Sequence, residues 1–125
     1  MTCWELAEEL RKRSRGFFEF IMPAIDMVEK GNELIIWIDL PGFAKEDINL
    51  NIIEDILTVS AKRKEEEEQQ SETQYYKQRP LQINRKVALP FSTKDGETIV
   101  GTAKYEDGVI ILRIPIPRSS YIPIT

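Results

Sequence analysis

Two carboxylates in one cleft, such as Asp39 and Asp47, could divide the work of a general acid and a general base. With 21 Asp and Glu in the chain such pairs arise by chance, and nothing beside these two supplies a nucleophile. There is no histidine and only one cysteine, Cys3. That removes the Ser/His/Asp triad, the Cys/His pair and the His-bearing zinc site. Gly101 and Gly108 form no phosphate-binding fingerprint, and Asp107-Gly108 has the form of a turn. The expectation is a protein that is not an enzyme and holds neither metal nor cofactor.

The residues that stand out have types suited to binding. Ile122-Pro123-Ile124 places two isoleucines about a proline, behind the polar run Arg118-Ser119-Ser120. Pro123 holds the backbone extended, so Ile122 and Ile124 project to one side and can enter two adjacent apolar pockets. A frayed terminus is the plain alternative, and Ile114-Pro115-Ile116 is a second triplet of the same kind. Trp4, Leu6, Leu10, Phe17, Phe18 and Phe20 crowd the first twenty residues. They suit either a core helix or an apolar surface for a partner. A membrane-surface helix is the weaker alternative, because acids nearly match bases on the polar face. Tyr75-Tyr76 stands isolated between the charged stretch 62–72 and Gln78-Arg79-Pro80, too short to be a strand without a pairing partner.

The elements that must position these features follow from periodicity. Thr2-Cys3-Trp4-Glu5 has the form of a capping box that opens a helix over residues 2 to about 15. Acids come early in it and bases late, complementing the helix dipole, and Gly16 is expected to end it. From Ile25 the period changes to that of strands. Ile25–Glu29 and Leu34–Asp39 flank a turn at Gly31-Asn32. Ile48, Leu50 and Ile52 alternate with Asn49 and Asn51, and Leu57, Val59 and Ala61 alternate again. Ile83 to Leu89 and Ile99 to Tyr105 are further strands, and Asp107-Gly108 turns the last of these into Val109–Ile114. Pro115 and Pro117 should then halt pairing, having no N–H to donate. The fold class predicted is all-β, an immunoglobulin-like antiparallel sandwich with a short N-terminal helix and an extended tail. Its expected divisions are an arm over 1–24, a domain over 25–117 and a tail over 118–125.

Composition restricts the partners. Seventeen Lys and Arg against 21 acids give a net charge of −4, which argues against nucleic acid. A lone cysteine cannot staple the fold, so a reducing compartment is expected. No apolar stretch nears the ~20 residues that span a bilayer. Glu5, Glu8 and Glu9 interrupt any signal-peptide core. A cytoplasmic protein is the expectation.

Several segments together resemble a known family, the small heat-shock proteins built on an α-crystallin domain. Ala103-Lys104-Tyr105-Glu106-Asp107-Gly108-Val109-Ile110 is similar to that family's A-x-x-x-n-G-V-L signature, with Ile110 where leucine is usual. Asp39-Leu40-Pro41-Gly42-Phe43-Ala44-Lys45-Glu46-Asp47-Ile48 resembles its first consensus segment. Ile83-Asn84-Arg85-Lys86-Val87-Ala88-Leu89-Pro90 resembles its F-x-R-x-x-x-L-P strand, and Gln78-Arg79 its Glu-Arg pair with glutamine in place of the acid. The resemblance covers residues 25 to 117, and the terminal Ile122-Pro123-Ile124 extends it.

The resemblance implies an ATP-independent holdase that binds apolar segments of unfolding proteins and assembles with itself as dimers and larger oligomers. It also implies roles for particular residues. The segment with Tyr75 and Tyr76 would cross to a neighbouring copy and pair beside Ile25–Glu29, with Arg79 and Arg85 in the same dimer contact. Ile122 and Ile124 would dock in a groove lined by Ile48, Leu50, Ile52, Ile99 and Ala103. Trp4, Leu6, Leu10, Phe17, Phe18 and Phe20 would meet the client. A CS-domain co-chaperone adaptor, a monomeric module on the same sandwich, is the alternative; the terminal triplet and the long loop before Tyr75 are what it does not need.

Overall fold

The computed structural model describes residues 2–3, 5–6, 9, 13, 15–16, 19, 22–65, 69–92, 99–116 and 124. Seven strands follow one another: β1 (Ile25–Lys30), β2 (Glu33–Asp39), β3 (Ile48–Ile53), β4 (Ile56–Lys62), β5 (Gln82–Ala88), β6 (Thr102–Glu106) and β7 (Val109–Pro115). They form a four-stranded sheet in the order β1-β2-β7-β6 and a three-stranded sheet in the order β3-β4-β5, with every pairing antiparallel. The all-β sandwich predicted from alternation is the fold.

Alternation decides which side chains lie between the sheets. Along β2, Leu34, Ile36 and Ile38 are buried, and their register partners Ile114, Leu112 and Ile110 on β7 are buried opposite them. β4 contributes Leu57, Val59 and Ala61 from the other sheet, and β5 contributes Ile83. Each fully buried Leu, Ile or Val stabilises the fold by about 1.5–3 kcal/mol over its exposed state. A one-residue slip in any of these strands would turn its whole apolar set to water, so the core itself holds the register.

Two hairpin turns expected from the sequence are present, and their backbone explains their residues. Gly31 between β1 and β2 has φ +63, and nothing lies within 4 Å of where its Cβ would be. Between β6 and β7, Asp107 has φ 51 and Gly108 φ 78, the two left-handed positions that a two-residue hairpin requires. Gly108 also backs onto the crossover from β2. Its carbonyl accepts the Leu40 amide at 2.7 Å, and an added Cβ would sit 3.1 Å from Pro41 Cα. Gly108→Ala is therefore expected to cost about 2–3 kcal/mol, combining left-handed strain with displacement of Pro41. Gly31→Ala meets the strain alone, about 1 kcal/mol. Urea midpoints at unchanged m-value measure both. Equal losses would show that the Pro41 contact contributes nothing.

Two expectations are corrected. Gly16 does not end the N-terminal helix: Arg15, Gly16 and Glu19 are all helical. Glu19 extends it because its carboxylate accepts the amides of Leu81 (3.1 Å) and Gln82 (2.8 Å), a tertiary contact that outweighs glycine's low helix propensity. The strand expected from Ile99 begins only at Thr102, just after Gly101, whose lack of a side chain weakens strand pairing there. Regular pairing ends at Pro115, the last residue of β7, as the proline-rich segment implies. This proline lies opposite Glu33, and the Ile116 amide still reaches the Asn32 carbonyl at 2.8 Å. Pro115 is tolerated because it sits at the strand's end. Tyr75 and Tyr76, too short to be a strand alone, form none within this chain. The capping box is as expected: the Thr2 amide donates to Glu5 Oε2 at 2.8 Å and the Glu5 amide to Thr2 Oγ1 at 3.1 Å.

Candidate functional site

The sandwich leaves edge strands whose outer rims pair with no other described strand. β3 is one edge of its sheet, and β6 is one edge of the other. Along β3, Ile48, Leu50 and Ile52 pack half-buried against the core, while Asn49 and Asn51 point to solvent. Along β6, Ala103 and Tyr105 face inward, because Leu112 and Ile110 opposite them are buried. The Tyr105 hydroxyl lies 2.6 Å from the Leu40 carbonyl and 2.9 Å from that of Phe43. Both carbonyls belong to the crossover that leads into β3, so this phenol ties the β6 edge to the flank on which β3 begins. Ile99 packs half-buried against the core just before β6.

Ala103 is the informative residue here. It faces inward yet remains exposed, so the inner face of β6 ends in an uncovered apolar margin. Its neighbours on the other face, Lys104 and Glu106, form an exposed ion pair at 2.8 Å. Such a pair keeps the outer face hydrated and adds little stability. The two edges therefore offer apolar side chains from β3 and backbone N–H and C=O groups from the strand rims. That combination suits an extended segment with apolar side chains at alternate positions. Of the triplet expected to use it, Ile124 is 97% exposed, and Ile122 and Pro123 lie outside the described residues.

A second surface surrounds β1, the opposite edge of the four-stranded sheet. The Arg85 guanidinium on β5 donates to the carbonyl of Pro23, two residues before β1. Arg79 lies across Gly42, close enough that a Cβ there would be 2.7 Å from its Nη2. Tyr75 and Tyr76 project from the loop between β4 and β5 at 70% and 77% exposure. The base of that loop is pinned. The Arg63 amide meets the Leu81 carbonyl at 2.9 Å, and the Arg63 guanidinium donates to the carbonyls of Pro80 (2.8 Å) and Arg79 (3.2 Å).

The arm is placed through its polar residues. Glu19 caps the first amides of β5, and Arg15 pairs with Glu65 at 3.0 Å. Among the expected client-facing residues Leu6 is 49% exposed; Trp4, Leu10, Phe17, Phe18 and Phe20 lie outside the described residues. Sequence reasoning missed Glu19, Arg63 and Tyr105. Each acts on a backbone carbonyl or amide 16 to 65 positions away, and no local spacing signals such a partner. Asp39 and Asp47 are both exposed, and among the described residues no cluster of His, Cys, Asp and Glu could hold a metal ion. No described helix is long and apolar enough to cross a membrane.

With this geometry in place, comparison with known proteins is decisive about ancestry. The model of the Hsp20/alpha crystallin family matches residues 26–123, from the second residue of β1 to the Ile122-Pro123 pair. The chain belongs to this family. A small heat shock protein from Rickettsia felis is 30% identical over 103 residues, covering 82% of this chain. The chain spans only 61% of that protein's length. Among solved structures, a mutant of hsp14.1 from Sulfolobus solfatataricus is 40% identical with a TM-score of 0.71, covering 85% of each chain. A small heat-shock protein from Xylella fastidiosa is 30% identical with a TM-score of 0.63, covering 83% of this chain and 94% of that one, and is described as having a distinct high order structure.

Membership gives the signature residues physical meanings. The glycine of the A-x-x-x-n-G-V-L signature is Gly108, with its positive φ and its carbonyl bonded to Leu40. Its alanine is Ala103, on the apolar margin of the β6 edge. Small heat-shock proteins as a family are chaperones of the stress response and not enzymes.

Proposed function

We propose that this chain is a holdase: it binds exposed apolar segments of unfolding proteins, without nucleotide, and stores its own binding surfaces in a homo-oligomer. The observation that carries this reading is the apolar margin on the β3 and β6 edges, with inward-facing Ala103 left uncovered. Ile122 and Ile124 of another copy are the segment of matching chemistry, at the end of a short polar linker. Tyr75 and Tyr76 pair beside β1 of a neighbouring copy, which supplies the ladder that neither has within one chain. Arg79 and Arg85 flank that contact. The arm, with Trp4, Leu6, Leu10, Phe17, Phe18 and Phe20, is the client-binding part. The high order structure described for the Xylella fastidiosa relative supports assembly.

The deciding experiment is light scattering of a heated client protein with the chain present. Suppression of aggregation should be the same with and without ATP, because the sequence offers no phosphate loop for nucleotide turnover. Protection that appears only when ATP is added would overturn the holdase reading.

A further inference from the structure

Where the helical arm meets the loop between β4 and β5, a cavity of 220 Å³ is lined by Arg15, Arg63, Lys77 and Arg79 with Glu65, Tyr76 and Gln78. We propose that this cleft binds a phosphate-class oxyanion. Among the described residues, four cations and one carboxylate line the cleft.

Of these cations only Arg15 is paired with a carboxylate among the described residues. Arg63 spends its donors on the carbonyls of Pro80 and Arg79, which fix the guanidinium in place but carry no full charge. Arg15, whose side chain is 19% exposed, reaches Glu65 through Nη1, while its Nε is buried and bonds to none of the described residues. A buried N–H left without a partner carries a desolvation cost that an acceptor in the cleft would remove. Among the described residues neither Lys77 nor Arg79 is paired with a carboxylate. A planar guanidinium presents two parallel N–H groups to an oxyanion, and an ammonium adds a compact positive charge. The Tyr76 hydroxyl and the Gln78 amide are neutral donors on the same wall.

A single carboxylate from a peptide would cancel only one of these charges. A phosphate or pyrophosphate offers several oxygens and more than one negative charge in a volume that fits the cleft. Its bonds would also run between chain segments far apart in sequence: Arg15 on the arm, Arg63 just after β4, and Lys77 and Arg79 in the loop. Bound oxyanion should accordingly fasten the arm to the loop.

The test titrates the full chain with sodium pyrophosphate, and separately with orthophosphate, against sodium chloride at matched ionic strength. Calorimetry or amide chemical shifts provide the readout. Saturable binding is expected, with shifts at Arg63, Lys77 and Arg79. Arg15→Gln and Lys77→Gln should each weaken it at least tenfold, the ~1.4 kcal/mol step of one lost charge-assisted contact. Arg113→Gln, which removes a cation paired with Glu33 elsewhere on the surface, should leave it unchanged. Absence of saturation would overturn the proposal. Binding indifferent to both cleft variants, or weakened equally by Arg113→Gln, would do the same.

Discussion

Ile122→Ser combined with Ile124→Ser is expected to convert the proposed homo-oligomer to dimers without loss of the sandwich. Each isoleucine gains at most about 1.5–3 kcal/mol on burial. Against that, the linker 118–121 loses roughly 1–2 kcal/mol of backbone freedom per residue fixed. A single docked tail is consequently weak, with an isolated affinity on the order of millimolar, about −4 kcal/mol. Many tails in one closed particle act at high effective concentration, so the particle can be stable while each joint opens readily. Two serines remove the apolar part of every joint at once, and avidity multiplies the loss.

The receiving side predicts the same outcome by another route. Ala103 faces inward on β6 and is exposed, so Ala103→Asp sets a carboxylate on the apolar margin. The charge either stays hydrated and keeps the tail out or is buried unpaired at a cost of several kcal/mol. Dimers should persist in both variants, because the proposed pairing of Tyr75-Tyr76 with β1 uses neither site. Multi-angle light scattering decides the matter. Full oligomer mass in the double-serine variant would remove the tail from its assigned role and leave the arm to hold the particle together.

The sandwich was legible because its information is local. Leu34, Ile36 and Ile38, or Leu57, Val59 and Ala61, announce a one-sided strand by period alone, and Asp107-Gly108 announces its turn by backbone preference. Ile99 misled for a related reason. Its apolar side chain does pack against the core, but hydrophobicity reports burial and not ladder pairing, and the ladder begins only after Gly101, at Thr102. The helix end misled because Gly16 was weighed by propensity, while Glu19 is held by the amides of Leu81 and Gln82, 62 and 63 positions away. Of the binding surfaces, the β3 half could be read directly from the alternation of Ile48, Leu50 and Ile52. The inward yet uncovered position of Ala103 depends on its register with Leu112 and on β6 being an edge, and neither is written in the residues near it.

Removing residues 1–20 is expected to leave a folded sandwich that has lost most of its protection of clients. Strands supply most of the described core: Leu34, Ile36, Ile38, Leu57, Val59, Ile110, Leu112 and Ile114 are buried across the two sheets, joined by Leu40, Phe43 and Leu89 from connecting segments. The structure adds a complication that the strand pattern did not contain, because the deletion also takes Glu19 from the amides of Leu81 and Gln82. Those amides stand at the rim, with Leu81 half-buried and Gln82 exposed, so water can replace the carboxylate. The charge-assisted bonds, about 1.5–3 kcal/mol when fully sheltered, should be worth less in this position. Glu19→Ala in the full chain separates the two effects. It removes the same bonds and keeps Trp4, Leu6, Leu10, Phe17, Phe18 and Phe20. If the arm acts on clients, Glu19→Ala should lower the urea midpoint about as far as the deletion does while preserving suppression of aggregation; the deletion alone should abolish it. Loss of protection in Glu19→Ala equal to that in the deletion would mean that arm docking, and not the aromatic arm itself, is what clients require. Loss of the β-sheet circular dichroism signal on deletion would place the arm in the core.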